Sequence, residues 1–245
     1  MQFSTVTKAA ARCYTCPTLS TVERDFDRLA LFDDGGWTAN NHYHEFLLKQ
    51  VPRECVSILE VGCGTGAFSR RLAQRARQVT AIDLSSEMIR LARARASAFT
   101  NIQFEIDDIV TRQLADSEFD CVASIATLHH VPIQQVLRKL RNALKPGGVL
   151  IVLDLFEPER RMLTTTGLAD ATLNLVAMGA SCSLRLLHRG RLRPPPEVRA
   201  AWEEHGRTDR YLTMEQVHEL YSTLLPGVII RKHLLWRYSA VWVKT

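Results

Sequence analysis

From Val56 onward, short apolar runs alternate with segments whose apolar residues recur every three or four positions, the pattern of a parallel sheet covered by helices on both faces. The predicted strands are VSILEVG (56–62), QVTAIDL (78–84), NIQFEID (101–107), FDCVASIA (119–126) and GVLIVLDL (148–155). Between the first two lie Phe68, Leu72, Ala73 and Ala76 at helical spacing, with arginines on the opposite face. Between the last two lie Ile133, Val136, Leu137, Leu140 and Leu144. A crossover helix is therefore expected after each strand, and Pro146 is expected to stop the last one, with Gly147 and Gly148 allowing the reversal into the fifth strand.

Beyond Leu155 the rhythm breaks. Residues 157–215 hold an apolar helical stretch (163–187), an arginine-rich turn HRGRLRPPPE (188–197) and a helix-like piece ending near His205 and Gly206. It resumes with a helix from Thr213 to Leu225, whose Thr213 and Gln216 fit a capping box. GVIIRKHLL and RYSAVWVK then read as a terminal strand pair with Trp236 and Arg237 at the bend. The expected organisation is an N-terminal tail and helical cover (1–50), an α/β core (51–156 and 213–245) and a helical lid insertion (157–212).

Composition narrows the class without naming a function. A hydrophobic fraction of 46% and a charged fraction of 23% are those of a soluble globular protein. The longest apolar run, Leu168 to Leu187, is interrupted by Asp170, Asn174 and Arg185, so no membrane span is expected. The first residues lack the apolar core of a secretory signal and read as an unstructured or loosely docked tail, although Lys8, Arg12 and the lack of acids share features with a transit peptide. Six cysteines in this context read as reduced thiols of a cytoplasmic protein. Cys13 and Cys16 have metal-ligand spacing, with His42 and His44 as conceivable partners, but no second pair follows and no metal is expected. The net charge of +5 is spread over many helix faces, so nucleic acid is not the expected partner.

The glycine turn ILEVGCGTG (58–66) carries the chemistry. A turn of this kind between strand and helix lets a ligand approach main-chain N–H groups beside a helix N-terminus. Gly62, Gly64 and Ala67 also satisfy the loose dinucleotide-binding spacing, which leaves the ligand open until Glu60 is considered. A carboxylate two residues before the first glycine repels a pyrophosphate and attracts an ammonium or a sulfonium. Asp83, at the end of the second strand, stands where a carboxylate accepts both hydroxyls of a ribose.

ILEVGCGTG, AIDLS, the acid in FEIDDI, FDCVASIATLHHV and LKPGGVLIV, in that order, resemble the successive motifs of class I S-adenosylmethionine-dependent methyltransferases, over about residues 45–157. The resemblance implies a doubly wound, mostly parallel seven-stranded α/β sheet with an antiparallel final strand, the Rossmann-like methyltransferase fold, with Trp236 to Val243 as the reversed strand. It implies S-adenosylmethionine as cofactor, with Glu60, Gly62, Gly64 and Gly66 along its methionyl part. Asp83 would meet the ribose, and Leu84 and Met88 the adenine. Asp108, rather than Asp107, would meet the adenine amino group, with Ile109 beside the ring. Ser124 and Ile125 would pass the methionine and the methyl group.

Methyl transfer from a sulfonium is an in-line displacement, so positioning and exclusion of water do most of the work and a base is optional. The candidate bases are His129 and His130 after the fourth strand, with His130 foremost, and His42, Tyr43 and His44 nearer the N-terminus. Ligands of open α/β sheets bind at the carboxyl ends of the strands, which leaves residues 20–50 and 157–215 to cover the acceptor. Trp37, His42 and Tyr43 are candidate acceptor contacts in the first, and Arg185, Arg189, Arg191 and Arg193 supply positive charge in the second. A small organic methyl acceptor is the leading expectation. A methyltransferase acting on RNA or protein is the alternative, although Ser124-Ile-Ala-Thr127 stands where many nucleic-acid amino-methylases carry Asn-Pro-Pro-Tyr. A non-catalytic cofactor-binding or lipid-surface protein is the third.

Overall fold

The computed structural model describes residues 19–157, 175–176, 178–184, 186–188, 190, 193–207 and 209–245. Seven strands form one sheet: β1 (Cys55–Val61), β2 (Ala76–Asp83), β3 (Ile102–Ile106), β4 (Phe119–Ile125), β5 (Leu144–Leu155), β6 (Ile229–His233) and β7 (Arg237–Val243). Their order is β3-β2-β1-β4-β5-β7-β6, and only β7 runs against its neighbours β5 and β6. The expected seven-stranded sheet with a reversed last strand is therefore present. The order in which strands are laid down reverses between β1 and β4, which pair in parallel, and a crevice opens there at the carboxyl ends of the strands.

The apolar runs are continuous because both sheet faces are buried. Leu59, Val61, Val122, Leu150 and Val152 point to one face, with Val136, Leu137 and Leu140 of α5 (Ile133–Ala143) and Val217 and Tyr221 of α7 (Met214–Leu224). Ile58, Cys121, Ala123, Ile151 and Leu153 point to the other, with Leu47 of α2 (His44–Leu48), Leu72 of α3 (Ser69–Leu72) and Ile89 of α4 (Ser86–Arg95). The capping box at α7 is formed as the sequence indicates, Thr213 accepting from the Gln216 amide and Gln216 from the Thr213 amide.

Several local expectations are corrected. The segment from Phe68 to Ala76 is a single helical turn, because β2 already begins at Ala76 and pairs with Cys55. No helix joins β3 to β4; residues 107–118 are turns, held by Lys139 Nζ on the carbonyls of Ile109, Val110 and Arg112 at 2.7–2.8 Å. Helix α5 ends at Ala143, before Pro146, and Leu144 already pairs with Phe119 across a register irregularity that loops out Lys145-Pro-Gly-Gly. The last bend is Leu234 to Trp236, and Arg237 is the first residue of β7. Leu235 and Trp236 adopt φ of 59° and 57°, a left-handed conformation that a sequence reader assigns to Gly or Asn. Tertiary bonds hold the bend: Tyr43 donates to the Leu234 carbonyl at 2.6 Å and Arg237 to that of Leu235 at 2.6 Å.

The chain leaves the sheet at Phe156 and returns beside it at Leu212 through a parallel bridge, with the Glu157 amide on the Leu212 carbonyl at 2.9 Å. Helix α6 (Pro196–His205) belongs to this excursion and lies against α1 (Leu19–Ala30) over the crevice. Arg28 and Glu204 form an exposed ion pair at 2.5 Å, and His205 Nδ1 lies 3.3 Å from Asp25. Cys13, Cys16, Arg185, Arg189, Arg191 and residues 163–174 of the apolar stretch lie outside the described residues. Among the described residues no helix is long and apolar enough to cross a membrane.

Candidate active site

The glycine turn after β1 forms one wall of a cavity of about 460 Å³, a volume suited to a small ligand. Gly62 has φ +73°, and a Cβ there would fall 2.0 Å from Thr127 Oγ1, so a side chain is excluded. Gly64, at φ +53°, faces open space, with nothing within 4 Å of where its Cβ would stand. Its N–H donates to Asp83 Oδ2 at 2.7 Å, and Asp83 Oδ1 accepts from the Ser85 amide at 3.0 Å. Ser85, and not Asp83, caps α4, accepting from the Met88 amide at 3.1 Å. Asp83 is therefore placed by the turn rather than used up as a helix cap. Burial raises its pKa, and the amides of Ser85 and Gly64 pull it back.

Glu60 is 2% exposed and accepts from Ser69 Oγ at 2.5 Å. Burial pushes its carboxyl up to about 8, with the charge of Asp83 adding and the Ser69 hydroxyl opposing. Cys63 beside it is buried, and burial, with the charges of Asp83 and Glu60, pushes its thiol pKa well up. Leu84, Met88, Asp108, Ile109 and Ile125 line the same cavity. Asp107 lines it too but is tied to Arg112, whereas Asp108 Oδ1 accepts only from the nearby Val110 amide among the described bonds, at 2.8 Å.

Five of the residues singled out in the sequence do not line the cavity. Gly66 packs: a Cβ there would stand 3.0 Å from the Phe104 ring and 3.2 Å from Ala92, so this glycine lets α4 and β3 approach the turn. Ser124 turns into the sheet and donates to the Val61 carbonyl at 3.1 Å. Trp37 stacks on His188 of the excursion with ring centres 5.4 Å apart. His42 packs edge-on against Tyr43, and Tyr43 is a buried bolt on the β6–β7 bend. His44, weighed as a base, does line the cavity, but burial and then Arg71 and Arg70 lower its pKa to about 4.

The far wall was only half visible in the sequence. A 3-10 turn (Leu128–His130) after β4 presents both histidines, and residues 209–211 of the return arm bring Asp209 and Tyr211 against them. His129 Nδ1 lies 2.6 Å from Asp154 Oδ1 on β5, and its amide donates to Asp154 Oδ2 at 3.2 Å. Burial opposes charging this imidazole, but Asp154 outweighs it and raises the pKa above the ordinary value. His130 behaves oppositely: burial, then His129 and His205, lower it to about 2, so it is a neutral ring at any ordinary pH. Of the two, His129 is thus the ring held toward its charged form and His130 the one held neutral. Tyr211 donates to Asp209 Oδ2 at 2.7 Å. Arg237, held by Asn40 Oδ1 at 2.9 Å, adds a partly buried guanidinium to this wall. Asp209 and Tyr211 carried no sequence signal, because they come from a segment without motif or clean periodicity; Arg237 was read only as part of the terminal bend.

Comparison with known proteins agrees with this architecture. Residues 58–148 match the methyltransferase domain family. The chain is 34% identical over 215 residues to an uncharacterised methyltransferase of Mycobacterium tuberculosis, covering 85% of this chain and 98% of that one. It is 30% identical over 204 residues to a ubiquinone biosynthesis O-methyltransferase of Xylella fastidiosa, covering 75% and 77%. Among solved structures, the N-methyltransferase NodS from Bradyrhizobium japonicum, in complex with S-adenosyl-L-homocysteine, superposes with a TM-score of 0.60 at 18% identity, covering 91% and 97%, a likeness of fold alone. The chain belongs to the class I S-adenosylmethionine-dependent methyltransferases.

Proposed function

We propose that this protein binds S-adenosylmethionine along the Glu60, Gly62, Gly64, Asp83 and Asp108 wall and methylates an oxygen of a small organic acceptor held against the His129 wall. The observation that carries this reading is the joining of both walls in one cavity of about 460 Å³. The residues present fit the cofactor: a buried Glu60 and a partly buried Asp83 flank a turn whose Gly64 leaves open space beside main-chain N–H groups. When bound, the cofactor supplies an electrophilic methyl group on a sulfonium. The protein's part is to hold the acceptor oxygen in line, exclude water and take up or direct its proton. His129, oriented by Asp154 through Nδ1, turns Nε2 to that purpose.

The size of the acceptor is limited by what covers the cavity. Helices α1 and α6 close over it, with Phe26 edge-on to both His130 and His205 at 5.5 and 4.8 Å. Such a cover suits a small molecule and leaves little access for an RNA strand or a folded protein. The relatives named for ubiquinone biosynthesis methylate oxygen by their printed name, which supports a hydroxyl acceptor. On this reading residues 157–212 form a lid that returns at Leu212 and carries Asp209 into the site. The test is turnover of S-adenosylmethionine with panels of hydroxylated small molecules, RNA and protein. Methylation of a hydroxyl in the first panel is expected; methyl label confined to RNA or protein would overturn the acceptor assignment.

A further inference from the structure

We propose that His129, His130 and Asp209 form a binding site for one divalent transition-metal ion, in the wall that faces the acceptor. The inference rests on the reading above for its purpose but not for its geometry.

The three side chains offer ligand atoms all within 4.8 Å of one another, with His130 and Asp209 buried and His129 partly so. His130 Nδ1 and Asp209 Oδ1 are each buried without a hydrogen-bond partner among the described residues, although they stand 3.4 Å apart. A charge-assisted hydrogen bond between imidazole and carboxylate closes to about 2.7–2.9 Å. Two ligands at about 2.1 Å from one tetrahedral ion lie about 3.4 Å apart, which is the spacing found. The pair is thus too wide for a hydrogen bond and correctly spaced for a shared ion.

The surrounding bonds orient two of the three donors. His129 gives Nδ1 to Asp154 at 2.6 Å, the carboxylate–histidine arrangement that fixes a ligating imidazole with Nε2 available. Tyr211 occupies Asp209 Oδ2 at 2.7 Å and leaves Oδ1. Two imidazoles and one carboxylate select zinc, iron, cobalt or nickel in the divalent state over magnesium or calcium. With three protein ligands, a further position stays open toward the cavity that the same residues line. With the ion bound, His129 Nε2 would serve as a ligand in place of the base role given to it above, and an acceptor hydroxyl at the open position would be held in place and acidified, its proton passing to solvent. Because Asp209 arrives on the return arm, the ion would also tie that arm to the turn after β4.

This site differs from the sequence expectation of no metal, which was framed on Cys13, Cys16, His42 and His44. The experiment uses the full chain, stripped with chelator and dialysed, then titrated with zinc(II) by calorimetry and with cobalt(II) by visible absorption. One equivalent is expected, with the intense d–d bands of a four- or five-coordinate cobalt site. Asp209→Asn and His130→Phe, the second keeping an aromatic ring against Phe26, should each weaken binding by at least about 100-fold, while a Cys13→Ser/Cys16→Ser double variant should not. If one variant fails to fold, the other and the wild-type cobalt spectrum still decide. Absence of a one-to-one complex, or affinity unchanged in both cavity variants, would overturn the site. Binding of S-adenosylhomocysteine, measured alongside, separates this failure from failure of the methyltransferase reading, since it does not require the ion.

Discussion

Glu60→Gln isolates the electrostatics on which cofactor recognition turns. The carboxyl is 2% exposed, with Ser69 Oγ at 2.5 Å, and its pKa is pushed from 4.5 up to about 8. In the ligand-free protein it is therefore protonated at neutral pH, although unfolded chain ionises it near 4.5. A raised folded pKa gives stability that is complete below pH 4.5 and is lost as pH rises toward 8. At about 1.36 kcal/mol per unit the loss is at most about 4.8 kcal/mol. Gln mimics the neutral carboxyl and removes this dependence, so ligand-free Glu60→Gln should melt progressively higher than wild type as pH rises from 5 to 8. Binding reverses the preference, because the ligand's ammonium favours the carboxylate. With a pKa near 8, about one site in eleven is ionised at pH 7, so binding should release about 0.9 proton and tighten about ninefold between pH 6 and 7. Calorimetry with S-adenosylhomocysteine in buffers of differing ionisation enthalpy reads the proton directly. Wild-type binding without proton release, or an equal release in Glu60→Gln, would refute the reasoning.

Gly62→Ala should lose about 2 kcal/mol or more of stability by denaturant unfolding, since its Cβ would meet Thr127 at 2.0 Å at a φ of +73°. Tyr43→Phe should cost about 1 kcal/mol by losing its bond to the Leu234 carbonyl while leaving KM for the acceptor unchanged; a large KM effect would return Tyr43 to the acceptor site. Asp154→Asn should lower turnover about 10- to 100-fold, with affinity for S-adenosylhomocysteine within about twofold, because its oxygens orient His129 and touch nothing on the cofactor wall.

The parts legible in sequence were those written locally. Alternating apolar runs and a three-glycine turn specify strand, turn and crevice within a few residues, so β1, β2, Glu60, Gly64 and Asp83 were readable. Thr213 and Gln216 likewise state a helix start with no help from the rest of the chain. Where tertiary contacts decide, the reading failed for physical reasons. Gly66 reads as a ligand glycine but serves close packing against Phe104 and Ala92. Tyr43 and Trp37 look like an aromatic acceptor face, yet one is bonded to a hairpin made of residues 233–237 and the other stacks on His188. The choice between His129 and His130 depends on Asp154, 25 residues on, and Asp209 reaches them only because the excursion closes at Leu212. No periodicity in residues 157–215 announces that closure.

The central claim is that this cavity binds S-adenosylmethionine, and the most direct measurement is equilibrium binding of S-adenosylhomocysteine and NAD to wild type and to Asp83→Ala. One equivalent of S-adenosylhomocysteine should bind, NAD should not, and Asp83→Ala should weaken binding by about 1.5–3 kcal/mol, about 10- to 150-fold, through loss of hydrogen bonds to a charged acceptor. Equal binding of NAD, or an unchanged affinity in a folded Asp83→Ala protein, would contradict the account.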